Sequence, residues 1–294
     1  MKYWTIVKAA LTRKKIRTFM TVASIATAFL LFSLGRSVAV AFTNEVDYAG
    51  KDRLVVSSKL SFTQAMPMAY ANRIEAIEGV DQVAWRQWFG GTYIDRSNFF
   101  PKWPVPDSYF DVFPEFIISE GGREAFSQNI QGMIAGADLA ERYGWKIGDR
   151  IPIIGDIWVK SDNSNNWEFD LVGTFTNANG GEQDEAYINW KYFDESRAFE
   201  KGLVGQFAVK IRDPNQAEEI AKDIDALFAN SPDETKTSTE EAFSRMFAEQ
   251  VGDIGFIINS VLAASFFTIL LLTANTMSQA VRERTNELGV LKSI

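Results

Sequence analysis

The side chains best suited to chemistry in this chain are carboxylates and cations, because its 294 residues include neither histidine nor cysteine. Those two absences remove the thiolate nucleophile, the disulfide framework, Cys-ligated zinc and iron–sulfur sites, the Ser-His-Asp triad and the imidazole base. Paired carboxylates such as Asp184-Glu185 and Glu218-Glu219 are the material of acid–base catalysis, yet they stand among 38 acids, where a solvated face is the ordinary role. Asp162 to Asp170 (DNSNNWEFD) has the oxygen density of a calcium loop but lacks its central glycine and terminal glutamate, so a solvated hairpin tip is expected. No phosphate-cradling G-x-x-x-x-G-K-[ST] loop, dinucleotide fingerprint or G-x-S-x-G elbow occurs. The expectation is therefore no catalytic residue, no metal site and no cofactor in this chain. The remaining cluster is at the C-terminal end: Arg282, Glu283, Arg284, Glu287, Leu288, Gly289, Leu291 and Lys292. Leu288 and Leu291 fall on one helical face, and Glu283 and Glu287 form an i, i+4 pair on another. Such a short amphipathic helix either lies on lipid or presses into a groove of a partner.

Two long apolar runs must position that cluster. Thr18 to Gly35 is an uncharged run, and Ile254 to Val281 is a longer one, about 27 and 42 Å as helices against a hydrocarbon core of about 30 Å. Both read as transmembrane helices, over 18–42 and 254–280. A cleaved secretory signal ending near Ala39-Val40-Ala41 is the alternative for the first. The long basic leader, with Trp4, Val7 and Leu11 at helical spacing, favours a retained helix behind an amphipathic surface segment over 1–17. A buried core helix is the alternative for the second, but a run with no charged face is hard to hide in so small a chain.

Charge sets the orientation. Lys2, Lys8, Arg13, Lys14, Lys15 and Arg17 precede the first run with no acid among them, whereas residues 43–253 hold 20 cations and 36 acids, a net of −16. The positive-inside rule then puts both ends in the cytoplasm and residues 43–253 outside, with Arg36 snorkelling at the outer interface. A net of −16 also argues against nucleic acid as a partner.

The outside region reads as mixed α and β. Strands are expected at Arg53–Ser58, Val80–Phe89, Met133–Ala135, Arg150–Ile154, Trp167–Phe175, Tyr187-Ile188 and Phe207–Ile211, with Arg150–Ile154 and Trp167–Phe175 forming a hairpin. Phe99 to Pro106 holds three prolines and is expected as loop or sheet edge. Helices are expected over Met66–Glu78, over Gly136–Tyr143 closed by Gly144, and after Asp213-Pro214, where Gln216 completes a capping box. A further amphipathic helix runs from Thr239 to Asp253 into the second span.

Three segments together resemble the MacB/FtsX-like permeases of ABC transporters. Ala10 to Leu31 (ALTRKKIRTFMTVASIATAFLL) resembles the family's basic surface helix and small-residue-rich first span. Met277 to Ile294 carries the pattern V-x-E-R-x-x-E-[IL]-G-x-L-[KR] as Val281, Glu283, Arg284, Glu287, Leu288, Gly289, Leu291 and Lys292. Ile134 to Ile153 followed by WEFDLVGTF is similar to the periplasmic core domain. The resemblance implies an α+β extracytoplasmic domain of the MacB type, residues 43–253, inserted between two transmembrane helices of a multi-pass protein of the bacterial cytoplasmic (inner) membrane. It further implies that residues 281–294 couple to a separate ABC ATPase subunit, which holds the ATP, and that a second permease copy or a sister permease completes the transporter. Membrane lipid and a periplasmic adaptor are the other implied partners. Four spans are usual in the family, two of them after the coupling segment, and Ile294 falls where the family's loop to a third span would continue. Within the class, an FtsX-type regulator of periplasmic hydrolases or a lipoprotein-release subunit is the alternative; outside it, a membrane-anchored receptor or a secreted binding protein.

Overall fold

The computed structural model describes residues 50–180 and 183–246 continuously, with isolated positions between 15 and 33 and between 260 and 282. It divides into two compact units, Tyr48–Phe243 and the combination of Met1–Asp47 with Ser244–Ile294.

In the second of these units the described positions are helical, among them Phe19, Phe29, Phe266 and Met277. The Phe29 and Phe266 rings meet edge to face with centroids 6.0 Å apart, which brings the two apolar runs side by side at that level. Phe19, Val22, Leu30, Phe267 and Met277 leave their apolar side chains exposed. Among the described residues no helix is long and apolar enough to cross a membrane. The expected segments 1–17, 18–42, 254–280 and 281–294 lie largely outside the described residues.

The first unit opens with β1 (Arg53–Ser58), β2 (Met66–Pro67), α1 (Tyr70–Glu75), β3 (Val80–Arg86), β4 (Thr92–Tyr93) and β5 (Lys102–Val105). Next come α2 (Tyr109–Val112), β6 (Phe116–Ile118), α3 (Gly122–Gln128), β7 (Gly132–Gly136), α4 (Ala137–Tyr143), β8 (Arg150–Ile154) and β9 (Asn166–Asn177). It closes with β10 (Ala186–Asn189), α5 (Trp190–Ser196), β11 (Leu203–Val204), β12 (Gln206–Ile211), α6 (Ala217–Leu227) and β13 (Thr235–Thr239), after which a helix starts at residue 240.

Two sheets organise these elements. One is antiparallel in the order β13-β1-β12-β3; the other is mixed, in the order β4-β8-β9-β7-β10-β5, with β6 on the far half of the long β9. Period-two alternation explains the layering of the first sheet. Leu54, Val56, Val83, Phe207 and Val209 face one core with Ile220 and Ile224 of α6, while Ala84 and Ala208 face another with Tyr109 and Phe110 of α2. Covered on both faces, β1 is buried along its whole length. The sheets join where β3 continues past Arg86: the Gln87 N–H donates to Pro104 O (3.2 Å) and the Phe89 N–H to Lys102 O (3.1 Å). A polar seam reinforces the join, with Arg86 donating to Gln206 (2.9 Å) and Trp103 and Tyr187 both donating to Glu185 (2.9 and 2.5 Å).

The expected strands form, the hairpin pairs Ile151 with Phe169, and the proline-rich segment supplies β5 at the end of its sheet. Gly144 closes α4 at φ +68°, a conformation natural to glycine. Three expectations need correction. The helix expected over Met66–Glu78 is confined to Tyr70–Glu75, because Met66-Pro67 pairs with Leu203-Val204 as strand. Asp213 accepts from the Asn215 N–H (2.9 Å) and opens a 3₁₀ turn at Pro214–Gln216, with α6 starting only at Ala217, in place of the capping box through Gln216. The helix expected from Thr239 begins at residue 240: Thr239 ends β13, paired with Leu54, and its hydroxyl caps the helix by accepting from the Ala242 N–H (3.2 Å), while residues 247–253 of that expectation lie outside the described residues.

Candidate functional site

The sequence pointed to residues 282–292 as the site that does the protein's work. Arg282 is helical and exposed; Glu283, Arg284, Glu287, Leu288, Gly289, Leu291 and Lys292 lie outside the described residues. What is described is the base of the outside domain, where the chain arrives at Gly50 and departs through the helix that starts at 240.

Arg53 organises this base. It is the first residue of β1 and is 5% exposed, since Phe113 covers it, with the guanidinium carbon 4.4 Å from the ring centroid. Its Nε donates to Glu240 Oε2 (2.6 Å), and its Nη1 and Nη2 donate to the two carboxylate oxygens of Glu115 (3.0 and 2.6 Å). Nη1 also reaches the Val112 carbonyl at 3.5 Å. Glu240 Oε2 in turn accepts from the Gly50 N–H (2.8 Å). One carboxylate on the departing helix therefore holds the arriving backbone and the first strand, and one guanidinium ties both to the segment between α2 and β6. Burial alone would lower the Arg53 pKa, but Glu240 and Glu115 outweigh it and hold the group above its ordinary value, permanently charged.

A second fastening lies one strand over. Asp225 of α6 accepts from the Thr235 hydroxyl (2.9 Å), the Thr237 hydroxyl (2.7 Å) and the Thr237 N–H (3.1 Å), stapling β13 to α6. Because β13 runs directly into the departing helix, this staple fixes that helix's starting point.

Nothing at this base is arranged for bond-making. Arg53 bonds through all three of its guanidinium nitrogens and Glu240 through Oε2, and the adjoining cleft of Lys51, Asp52, Asp81, Lys210 and Arg212 mixes charges without a nucleophile beside a base. The arrangement ties the arriving and departing chain segments to each other and to the segment between α2 and β6. The calcium-like stretch serves its turn: Asp162 accepts from the Ser164 N–H (2.9 Å), with Asn163 at φ +63°. Asp184 pairs with Arg142 (2.6 Å) and Glu185 holds the seam. Sequence reasoning missed Arg53, Glu115 and Glu240, since three charges scattered over 188 residues carry no local pattern; the one signal was a cation heading the otherwise apolar strand RLVVSS.

Comparison with known proteins supplies the family. The model of the MacB-like periplasmic core domain matches residues 19–227. An uncharacterized ABC transporter permease of Methanocaldococcus jannaschii is 21% identical over 302 residues, covering 96% of this chain and 72% of that protein. Among solved structures, the periplasmic region of MacB from Actinobacillus actinomycetemcomitans aligns with a TM-score of 0.47 at 12% identity, covering 70% of this chain and 97% of that one. The extracellular domain of the noncanonic ABC-type transporter YknZ from Gram-positive bacteria aligns with a TM-score of 0.47 at 13% identity, over 64% of this chain and 100% of that one. With well over half of its residues matched by the family model, the chain belongs to the MacB-like periplasmic core domain family of ABC transporter permeases.

Proposed function

We propose that this permease carries ATP-driven motion from a separate cytoplasmic ATPase to its outside domain, for export or for extrusion of a lipoprotein or peptide. The family implies an ATPase partner and a membrane protein with an extracytoplasmic domain. In this reading residues 18–42 and 254–280 span the membrane, and 1–17 and 281–294 lie in the cytoplasm. Arg282, Glu283, Arg284, Glu287, Leu288, Gly289, Leu291 and Lys292 form the segment that couples to the ATPase, with Arg282 and Arg284 at the inner leaflet.

The observation that carries the proposal is the Glu240 clamp. A displacement delivered by a helix reaches a domain only through a stiff attachment, since a flexible linker dissipates it. Here the first residue of the departing helix is bonded to both Gly50 and Arg53, so a push on that helix moves β1 with it.

Co-purification with candidate ATPases tests the docking: Glu287→Ala and Gly289→Trp are expected to abolish association. Glu240→Gln tests the clamp. It should leave the ATPase bound but reduce substrate-dependent stimulation of ATP turnover several-fold. An ATPase that binds and is stimulated equally in all three variants overturns the proposal.

A further inference from the structure

Exposed apolar side chains gather at the end of the outside domain opposite Gly50 and Glu240. The register Val56↔Phe207↔Trp85 places the ends of β1 and β3 together at that far edge. Beyond β3 stands Trp88, its ring 5.9 Å from Phe99 and 5.0 Å from Trp103. Ile157 packs alongside through Gly90, which sits at φ +63°; a Cβ there would lie 2.8 Å from Ile157 Cδ1 and 3.4 Å from Trp88 Nε1. Trp88, Phe99 and Ile157 are 37%, 50% and 47% exposed, so large apolar groups in contact share one solvent-facing patch.

The neighbouring hairpin carries an unusual residue. Ile94, 63% exposed, is held at φ +60° in a γ-turn closed by the Asp95 N–H donating to Tyr93 O (2.5 Å). A β-branched side chain at positive φ is costly, and asparagine or glycine would hold the turn more readily. The fold thus accepts backbone strain to present an isoleucine to solvent.

Charges of both signs border the patch. Asp95 accepts from the N–H and the hydroxyl of Ser97 (2.9 and 2.7 Å), bonds that lower its pKa and keep it ionised. Asp156 is exposed next to Ile157. Cations stand there too: Lys102 lies beneath, donating to Phe100 O (2.5 Å) with its Nζ 5.2 Å from the Phe99 ring, Lys160 stands 6.0 Å over the Trp167 ring, and Arg96 is exposed on the hairpin. The field of a region with net charge −16 tips this mixed border toward attracting cations.

We propose that this patch docks a cationic amphipathic peptide segment, its apolar face on Trp88, Phe99, Ile157 and Ile94 and its Lys or Arg side chains toward Asp95 and Asp156. An anionic partner meets the wrong field, and a second copy brings the same negative charge against itself. The proposal is independent of ATPase coupling, because binding is read without nucleotide.

The test uses the full chain in phosphatidylcholine nanodiscs with a fluorescent Leu/Lys amphipathic helix peptide, its Leu/Glu counterpart, and empty nanodiscs to subtract binding to lipid. The Leu/Lys peptide is expected to bind at least about tenfold tighter than the Leu/Glu peptide and to weaken with added salt. Trp88→Ser combined with Phe99→Ser should weaken it about tenfold or more. Asp95→Asn with Asp156→Asn should weaken only the cationic peptide. Ile94→Asn provides a check against mere unfolding: it suits the positive φ, so melting should rise while peptide affinity falls. Equal binding of both peptides, or affinity unchanged in the serine variant, overturns the proposal. So does concentration-dependent self-association that the serine variant abolishes, which would assign the patch to a second copy.

Discussion

Arg53 and Arg197 are both buried guanidiniums, and they are satisfied to different degrees. Arg53 uses all of its nitrogens on Glu115, Glu240 and Val112 O. Arg197 bonds Asp194 and the Leu203 carbonyl, while its Nε and Nη1 have no partner and face the rings of Trp158, Trp190 and Phe193. Removing one member of a buried pair strands the opposite charge, at about 3–5 kcal/mol; for Arg197 that loss is offset, because its removal also relieves the cost of two buried nitrogens without partners and Asp194 keeps the Gly202 N–H. Arg53→Met should therefore lower stability by about 3–5 kcal/mol, and Arg197→Met by well under half of that, as read from thermal unfolding of the full chain. Lys102 supplies a pH dependence. Burial lowers its pKa from 10.5 to about 7, with Asp156 opposing. Below pH 7 the ammonium is charged both folded and unfolded, so its burial cost is felt in full. From pH 7 toward 10.5 the folded protein releases the proton first, and stability gains about 1.4 kcal/mol per pH unit from this group. The difference between wild type and Lys102→Met should shrink over that range; a difference constant with pH contradicts the assignment.

At the scale of elements, the sequence was most informative where alternation or capping was local. β8 and β9 alternate cleanly, and α4 ends at a glycine that the left-handed conformation requires, so all three were legible. β13 (TKTST) was not, because its side chains are polar and its strand character comes from pairing with β1 and from Asp225. The helix expected through Met66 failed for a related reason: distant Leu203-Val204 decides the state of Met66-Pro67. The clamp was illegible in kind, since its members meet only once the sheets have formed. Two predictions belong here. Asp225→Ala should make β13 the first strand to lose hydrogen-exchange protection, with about 1–3 kcal/mol of stability lost. Gly136→Ala should cost at least as much, because a Cβ at the junction of β7 and α4 would lie 1.9 Å from the Gln183 carbonyl oxygen.

For the whole molecule, the lack of cysteine makes topology directly measurable. Single cysteines introduced at Lys8 and at Gly289 should resist an impermeant thiol reagent added to intact cells, and one at Asp95 should react. Reaction at either of the first two would reverse the orientation inferred from charge. The resemblance read from residues 10–31, 134–153 and 277–294 reached the family as a whole because its cues were spread along the chain. The family model ends at residue 227, so β13 and Glu240 lie beyond it.

Strand β1 also sets a schedule for biosynthesis. It leaves the ribosome early, yet its two neighbours are residues 206–211 and 235–239, so the first sheet cannot close until nearly the entire outside region has been made. Pairing over such separations is slow, and an unpaired apolar strand is prone to aggregation and proteolysis while it waits. A nascent chain released before residue 239 should therefore be degraded, and maturation of this permease should depend on periplasmic or surface chaperones that shield LVV until its partners arrive.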